Sequence, residues 1–319
     1  MQVRVAETEK IENMLPSMLV SATYDSNSKA VVLKFYEPES QKLILWKDQT
    51  GHKPYCYSRL TPDELDFLQE RDDVLEIKSV KRYDLIEDKE IDMSKITAAD
   101  PLAIGGTTGD KSIRNIIETW ESDIKYYENY LYDKRLIVGK YYEIIKGEVK
   151  PHDLEISDEV KIALKSLLWD KVDSESMVDS EQFKEYISEW AELLNQPIPK
   201  IKRLSVDIEV EAEVGRIPDP KLAEKKITAI GLKGSDGFDQ IFVLKTEGTE
   251  QGNNELDSKI KITFYDLDKE KEMIEDAFEI IKSFPFVVTY NGDEFDLPYL
   301  YNRAERLGTK NSENPFYMM

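Results

Sequence analysis

The sequence predicts an α/β chain of the α+β type, in which a β-rich N-terminal domain precedes a domain built on a mixed sheet. Apolar and aromatic segments separated by turn-forming residues fill the first hundred or so residues. After residue 200, three strand-like segments are followed by a helix, a strand and a second helix, an order that favours helices packed on a mixed sheet. The length of 319 residues fits two domains, at about 100–200 residues per domain.

The N-terminal domain is predicted to span residues 1–197. Its strand-like segments lie at 18–24, 30–36, 41–47, 53–57, 74–84 and 90–97. Thr61 and Glu64 predict a helix start with a capping box, and Pro62 fits the first helical position. Further helices are predicted at about 110–120 and 123–134, followed by an acidic helical linker at about 155–197. Pro197 and Pro199 interrupt that helical pattern, which predicts the domain boundary there.

The second domain is predicted to span residues 198–319. Three strands are expected at 203–211, 227–233 and 240–245, before a polar loop at 246–259. Apolar residues at helical spacing predict helices at about 268–282 and 297–307, with a short apolar strand at 286–290 between them. Gly308 marks the end of the last helix.

Composition excludes several classes of protein. The chain has 43 Lys and Arg against 64 Asp and Glu, and its net charge of −21 argues by itself against a nucleic-acid partner. No apolar stretch is long enough to span a membrane and the N-terminus lacks a signal-peptide core, so we expect a cytoplasmic location and no membrane partner. With Cys56, His52 and His152 as its only cysteine and histidines, the chain could bind a metal only through carboxylates, which favours Mg²⁺, Mn²⁺ or Ca²⁺.

The first candidate site lies in Leu204-Ser-Val-Asp-Ile-Glu-Val210. Asp-x-Glu occurs six times in the chain, but only the copy at Asp207 lies in a clean alternation of apolar and polar residues. In a strand, Asp207 and Glu209 share one face with their Cα atoms roughly 6–7 Å apart. Two carboxylates this close repel each other unless a cation lies between them. The alternative interpretation is the solvated face of an amphipathic strand.

The second candidate site lies in Thr289-Tyr-Asn-Gly-Asp-Glu-Phe-Asp-Leu-Pro-Tyr-Leu300, where an apolar strand turns into a helix. Asn291-Gly292 predicts the turn, and Asp296 falls just before the helix. On local spacing Asp296 is predicted to be the N-cap of that helix. A carboxylate at such a turn can also point into the crevice at the carboxyl end of the strand, where ligands tend to bind.

Together the two segments resemble the first two exonuclease motifs of family-B DNA polymerases. Val206-Asp-Ile-Glu209 matches the Asp-x-Glu motif, and Asn291-Gly-Asp-Glu-Phe-Asp296 matches Asn-x-x-x-Phe-Asp. Arg303-Ala-Glu-Arg-Leu-Gly308 and Gly215-Arg-Ile-Pro-Asp219 are similar to archaeal members, above all to the replicative enzymes of crenarchaea and thaumarchaea. The resemblance extends more weakly to the N-terminal domain through two segments, Gly51-His-Lys-Pro-Tyr55 and Tyr130-Leu-Tyr-Asp-Lys134.

The resemblance implies a ribonuclease-H-like 3′–5′ exonuclease domain that binds two divalent ions, Mg²⁺ or Mn²⁺, through four acidic residues. Three of these match: Asp207 would bridge both ions, Glu209 would hold one, and Asp296 would help with the other through water. Two such ions activate water for an in-line attack on the terminal phosphodiester. Asn291 and Phe295 would contact the strand end, although Phe295 fits equally well as a core aromatic that anchors the turn. The implied partners are DNA, as a single-stranded 3′ end and as a primer–template, and a sliding clamp.

The family's fourth acid lies in a Tyr-x-x-x-Asp motif, and no such motif follows Asp296. Because the polymerase half is also missing, we expect the N-terminal portion of a longer polymerase, with a truncated exonuclease domain that has little or no activity alone. One alternative is a freestanding metal-dependent 3′–5′ exonuclease, which the missing acid disfavours. The other is a non-catalytic nucleic-acid-binding module, for which eroded carboxylates would be expected.

A pocket for a flipped base is a further implication of the resemblance, because archaeal relatives use the N-terminal domain to sense uracil in the template. Tyr24, Pro54 and Tyr126 fall near that pocket's positions. Such a pocket would read the base through its edge and by stacking. The alternative is ordinary packing of aromatic residues and proline in a small β-rich core.

Overall fold

The chain divides into two compact units, one drawn mainly from residues 8–197 and the other mainly from residues 198–319. The computed structural model describes residues 11–106, 111–152, 157–164, 166, 198–245 and 260–316. Among these residues, no helix is both long and apolar enough to cross a membrane. Each unit contains its own buried apolar cluster.

A five-stranded sheet forms the larger part of the first unit. Its strands are β1 (Asn13–Asp25), β2 (Ala30–Glu37), β3 (Lys42–Lys47), β7 (Tyr141–Ile145) and β8 (Glu148–Pro151). Their order is β3-β2-β1-β7-β8, and β1 pairs antiparallel with both β2 and β7. Residues that alternate along β2, such as Val31 and Leu33, are fully buried. Helix α3 (Tyr126–Asp133) contributes Tyr126 and Tyr130 to the same core.

A three-stranded antiparallel sheet completes the first unit. Its strands are β4 (Tyr55–Ser58), β5 (Val74–Asp84) and β6 (Lys89–Ala98), in the order β4-β6-β5. Short helical segments pack their apolar residues against one side of it, through Leu65, Leu68, Ile104 and Ile113. These segments are a 3₁₀ turn (Asp63–Leu65), α1 (Asp66–Gln69), a π-helical turn (Leu102–Gly106) and α2 (Ile113–Ile116). Helix α4 (Asp158–Leu164) follows later in the chain.

The second unit is built on a mixed five-stranded sheet. Its strands are β9 (Arg203–Val210), β10 (Ile227–Gly234), β11 (Asp239–Leu244), β12 (Lys261–Tyr265) and β13 (Phe286–Val288). Their order is β12-β11-β10-β9-β13. The two pairs at the centre, β9 with β10 and β10 with β11, are antiparallel, whereas the edge strands β12 and β13 run parallel to their neighbours.

Two helices bury their apolar faces together with this sheet. They are α5 (Glu270–Ile281) and α6 (Asp296–Arg306). Met273, Ile274 and Ala277 of α5 are fully buried, as are Leu300 and Ala304 of α6, and all belong to one cluster with the sheet's inward-facing residues. Because α6 begins eight residues after β13 ends, its N-terminus lies near the carboxyl end of β13. Asp296, the first residue of α6, therefore lies near the carboxyl end of β13.

Most predicted strands and both helices of the second unit are confirmed. The reciprocal bonds of the predicted capping box are present, since the Thr61 N–H donates to Glu64 Oε2 at 2.8 Å and the Glu64 N–H donates to Thr61 Oγ1 at 3.4 Å. The helical turn itself begins one residue later than predicted, at Asp63, with Pro62 at the capping position. The predicted helix at 110–120 is wrong beyond α2, because Ile117 is already extended, with φ −134° and ψ 161°. Strands β7, β8 and β12 were not predicted. The loop at 246–259 and most of the linker at 155–197 lie outside the described residues.

Candidate functional site

Strand β9 holds the first pair of candidate carboxylates. Its inward residues Leu204, Val206 and Ile208 are buried, whereas Asp207 and Glu209 on the opposite face are exposed. Strand β10 pairs with one edge of β9 as far as Val210, but β13 pairs with the other edge only as far as Ser205. The second half of β9 therefore has a free edge next to its two carboxylates.

The Asp296 carboxylate occupies that free edge. Its Oδ1 accepts a hydrogen bond from the backbone N–H of Ile208 at 3.1 Å, and its side chain is buried with 6% exposure. The prediction of an N-cap is wrong, because Asp296 is the first residue of α6 and the capping position belongs to Phe295, which makes no side-chain capping bond. The Asp296 side chain thus provides a hydrogen-bond acceptor for β9 beyond the point where its pairing with β13 has ended.

Burial affects the pKa of Asp296. Desolvation raises the pKa of this carboxyl above its ordinary value of 3.8, and the neighbouring Asp207 carboxylate raises it further. The hydrogen bond from Ile208 acts in the opposite direction, because it stabilises the charged form. Since Asp296 binds the backbone N–H of Ile208, it lies next to the part of β9 that carries Asp207 and Glu209.

The segment between β13 and α6 is a tight turn. Asn291 has a positive φ of 55°, and its side chain is exposed. Gly292 is buried, and a Cβ at this position would overlap the Thr289 side chain. The carbonyl of Gly292 accepts the Leu297 N–H at 2.9 Å, which closes the turn. Gly292 is therefore needed because its backbone lies close to the Thr289 side chain within the turn that leads to Asp296.

Phe295 is half-buried and packs against the core of the second unit. Its ring lies 5.4 Å from that of Tyr299, measured between centroids. This contact fits the interpretation of Phe295 as an aromatic anchor for the turn. Tyr290, by contrast, is 95% exposed at the end of β13.

The three carboxylates suit a hard divalent cation by their donor chemistry. Within the residues that the structure describes, no three His, Cys, Asp or Glu side chains are grouped closely enough to hold a metal. Asp207 nevertheless acts electrostatically on Asp296, and Glu209 shares the face of Asp207. Carboxylate oxygens are the ligands that Mg²⁺ and Mn²⁺ prefer. The three residues therefore fit such an ion by the chemistry of their donor atoms.

A buried ion pair between α5 and α6 was not predicted from the sequence. Glu270 on α5 and Arg303 on α6 are 4% and 7% exposed, and their side chains meet at 2.6 Å. Glu270 belongs to the Asp-x-Glu copy at Asp268, one of the five copies without a strand-like alternation. Its position in the first turn of an amphipathic helix, on the same face as Met273, Ile274 and Ala277, was the available signal that this carboxylate is buried.

The residues proposed from the resemblance for a base pocket line one cavity in the first unit. Tyr24, Pro54 and Tyr126 border a space of about 310 Å³, together with Asn129 and Arg114. The rings of Tyr24 and Tyr126 meet edge to face at 5.5 Å. The hydroxyl of Tyr126 donates to the carbonyl of His52 at 2.7 Å, and that of Tyr24 donates to Asp100 at 3.2 Å. Both hydroxyls therefore have partners within the protein.

Comparison with known proteins gives the same family from independent evidence. A sequence model of the DNA polymerase family B exonuclease domain matches residues 117–315. DNA polymerase 1 of Sulfolobus acidocaldarius is 34% identical over 302 residues, which cover 93% of this chain and 32% of that protein. DNA polymerase 1 of Aeropyrum pernix is 33% identical, with 91% and 30% covered.

A solved structure has the same fold. The family B DNA polymerase from Pyrobaculum calidifontis aligns with a TM-score of 0.57 at 18% identity, over 92% of this chain and 33% of that one. At this identity the likeness concerns the fold alone. The chain spans about a third of the length of the curated relatives it matches.

Proposed function

Since the chain belongs to DNA polymerase family B, we propose that it supplies the 3′–5′ proofreading exonuclease site of a replicative DNA polymerase. The observation that carries this proposal is the contact of the Asp296 carboxylate with the Ile208 N–H at 3.1 Å. This contact brings the second exonuclease motif onto the strand of the first, between Asp207 and Glu209. Two motifs that lie 88 residues apart in the sequence thereby meet at one strand edge.

We propose Asp207, Glu209 and Asp296 as the ligands of Mg²⁺ or Mn²⁺ in a two-metal site. When bound, such ions activate a water molecule and stabilise the leaving 3′ oxygen of a phosphodiester. Asp296 is held in place by the Ile208 N–H, whereas the exposed Asp207 and Glu209 are free to adjust to the ions. Asn291, exposed on the adjoining turn, would contact the terminal nucleotide.

The parent activity, DNA-directed DNA synthesis, and its partners are part of the same proposal. DNA would bind as a primer–template and as a single-stranded 3′ end, a sliding clamp would bind elsewhere on the polymerase, and the protein would act in the cytoplasm. No Tyr-x-x-x-Asp sequence follows Asp296 among the 319 residues. We therefore expect this chain by itself to release nucleotides from single-stranded DNA slowly or not at all, even with Mn²⁺.

Metal binding tests the site without requiring turnover. We expect Mn²⁺ to bind the wild-type chain, as measured by electron paramagnetic resonance of the free ion, and binding to be lost in Asp207→Ala/Glu209→Ala. The matched control is Asp88→Ala/Glu90→Ala, an exposed Asp-x-Glu copy on the β5–β6 hairpin. Equal loss of binding in both double variants would mean that Mn²⁺ binds to acidic surface in general, which would refute the assignment.

The cavity in the first unit favours a second function, recognition of a template base. Its volume of about 310 Å³ lies at the lower end of the range for small-ligand sites. We propose that Tyr24, Pro54 and Tyr126 contact a flipped uracil there.

Tyr126→Ala should remove any preference for uracil-containing over thymine-containing single strands in a fluorescence anisotropy titration. Tyr132→Ala, an exposed position on the same helix, should retain it; equal binding of both strands by the wild type would refute the proposal.

A further inference from the structure

Helix α6 carries two further buried polar residues, Tyr299 and Arg303, on the same face as Asp296. Asp296, Tyr299 and Arg303 are all buried, and their spacing of three and four residues places them on one face of the helix. Asp296 and Arg303 are separated by about 10 Å along the helix axis, from the rise of 1.5 Å per residue. Whatever fixes Tyr299 and Arg303 therefore fixes the angular position and the depth of Asp296.

Arg303 forms a two-pronged ion pair with Glu270 of α5. Its Nε donates to Glu270 Oε1 at 2.8 Å, and its Nη2 donates to Glu270 Oε2 at 2.6 Å. Such paired bonds fix the orientation of the guanidinium group as well as its distance. The two helices are thereby joined at one defined register.

Both partners also bind the backbone that leads into β10. Glu270 Oε1 accepts the Ile227 N–H at 2.8 Å, and Arg303 Nη1 donates to the carbonyls of Ala223 at 3.2 Å and Glu224 at 2.9 Å. The Tyr299 hydroxyl donates to the Lys225 carbonyl at 2.9 Å and accepts the Lys225 N–H at 3.1 Å. The end of the connection from β9 to β10 is therefore tied to α6 through residues 223–225, and the first residue of β10, Ile227, is tied to Glu270 of α5.

We propose that Glu270 and Arg303 are positioning residues for Asp296. Their ion pair, with Tyr299, sets α6 against the β9–β10 connection so that Asp296 meets the Ile208 N–H. The inference rests on the proposed function in that Asp296 matters as a metal ligand. Buried ion pairs are weak sources of stability, because apolar replacements are often as stable, whereas fixing a register is their best-attested use.

The test separates positioning from general stability. Arg303→Lys keeps the charge but loses the paired bonds, and the matched control is Arg306→Lys, an exposed arginine on the same helix. We expect Arg303→Lys to speed hydrogen exchange of the Ile208 amide at least tenfold relative to the amides of β10, and the control to leave it unchanged. In the same samples, Mn²⁺ should broaden the NMR signals of β9 amides less in Arg303→Lys than in the wild type.

Two further variants keep the test decisive if Arg303→Lys does not fold. Glu270→Gln keeps an acceptor for the Ile227 N–H but loses the charge, and Tyr299→Phe removes only the hydroxyl. Each should speed Ile208 exchange severalfold. Unchanged Ile208 exchange in a variant whose melting temperature falls would overturn the proposal, because the network would then be merely structural. Absence of Mn²⁺ broadening in the wild type would instead count against the proposed function, since the exchange measurement requires no metal.

Discussion

Replacing Asp296 with Asn should make the metal-free protein more stable. The substitution preserves the shape of the side chain. It also keeps an oxygen that can accept the hydrogen bond from the Ile208 N–H, which in the wild type reaches Asp296 Oδ1 at 3.1 Å. It removes a negative charge that is 6% exposed and that lies near a second one on Asp207. A residue kept for chemistry at a cost in stability is expected at a functional site.

The sign follows from the raised pKa of Asp296 in the folded state. An acid whose pKa is higher in the folded than in the unfolded chain favours folding below its unfolded pKa, and this contribution is lost as the pH rises through the folded value. The gain from Asp296→Asn should therefore be small near pH 3 and largest at neutral pH. A gain of about 0.5–2 kcal/mol is typical of a single stabilising substitution. With roughly 2.1 cal/mol/K per residue over about 120 residues, 1 kcal/mol corresponds to about 4 °C in Tm.

Differential scanning calorimetry in EDTA at pH 7 and pH 3 measures this effect. Asp293→Asn, an exposed carboxylate on the same turn, controls for the general change in net charge. Mn²⁺ should then raise the Tm of the wild type and not that of Asp296→Asn, because the variant lacks the Asp296 carboxylate that would help to bind the ion. An Asp296→Asn chain that is less stable than the wild type at pH 7 in EDTA would refute the reasoning.

Three other outcomes follow from the same structure. Gly292→Ala should destabilise the second unit by about 1–3 kcal/mol because its Cβ overlaps the Thr289 side chain, and Thr289→Gly should restore most of the loss in a thermal melt of the double variant. Tyr130→Phe should cost about 1.5–3 kcal/mol in urea unfolding, because its hydroxyl donates to the buried Asp48 carboxylate at 2.9 Å; no change in the urea midpoint would contradict this. A 5′-labelled single strand should keep its length during prolonged incubation with the chain and Mn²⁺, and rapid shortening from its 3′ end would show that three acids suffice.

The strands around the candidate site were predictable because their periodicity is strong. Residues 203–209 alternate strictly between exposed and buried positions, which is the pattern that the sequence shows. Strand β12, which was not predicted, has three half-buried residues in succession at the edge of the sheet and so lacks such alternation. The short β7 pairs with β1, which lies far away in the chain, and this is a tertiary effect that local pattern does not contain. Strand β8 pairs in turn with β7.

The sequence was enough to propose the residues of the candidate site, but not to predict how they come together. The spacing within each motif identified Asp207, Glu209 and Asp296 as candidates, yet local rules assigned Asp296 to a helix cap. The structure places its carboxylate on the backbone of Ile208, a contact across 88 residues that no local rule predicts. Glu270 was set aside because its Asp-x-Glu copy lacks a strand-like alternation. Its pairing with Arg303, 33 residues further along the chain, is likewise a contact that no local rule predicts.

The most direct test of the central claim is anomalous diffraction from crystals soaked in Mn²⁺. An anomalous peak within coordination distance of the Asp207 and Asp296 carboxylates is expected in the wild type. The same soak of Asp207→Ala/Glu209→Ala crystals should show no peak there. Peaks confined to other acidic surfaces in the wild type, with none between Asp207 and Asp296, would contradict the assignment of this strand edge as the metal site of the exonuclease.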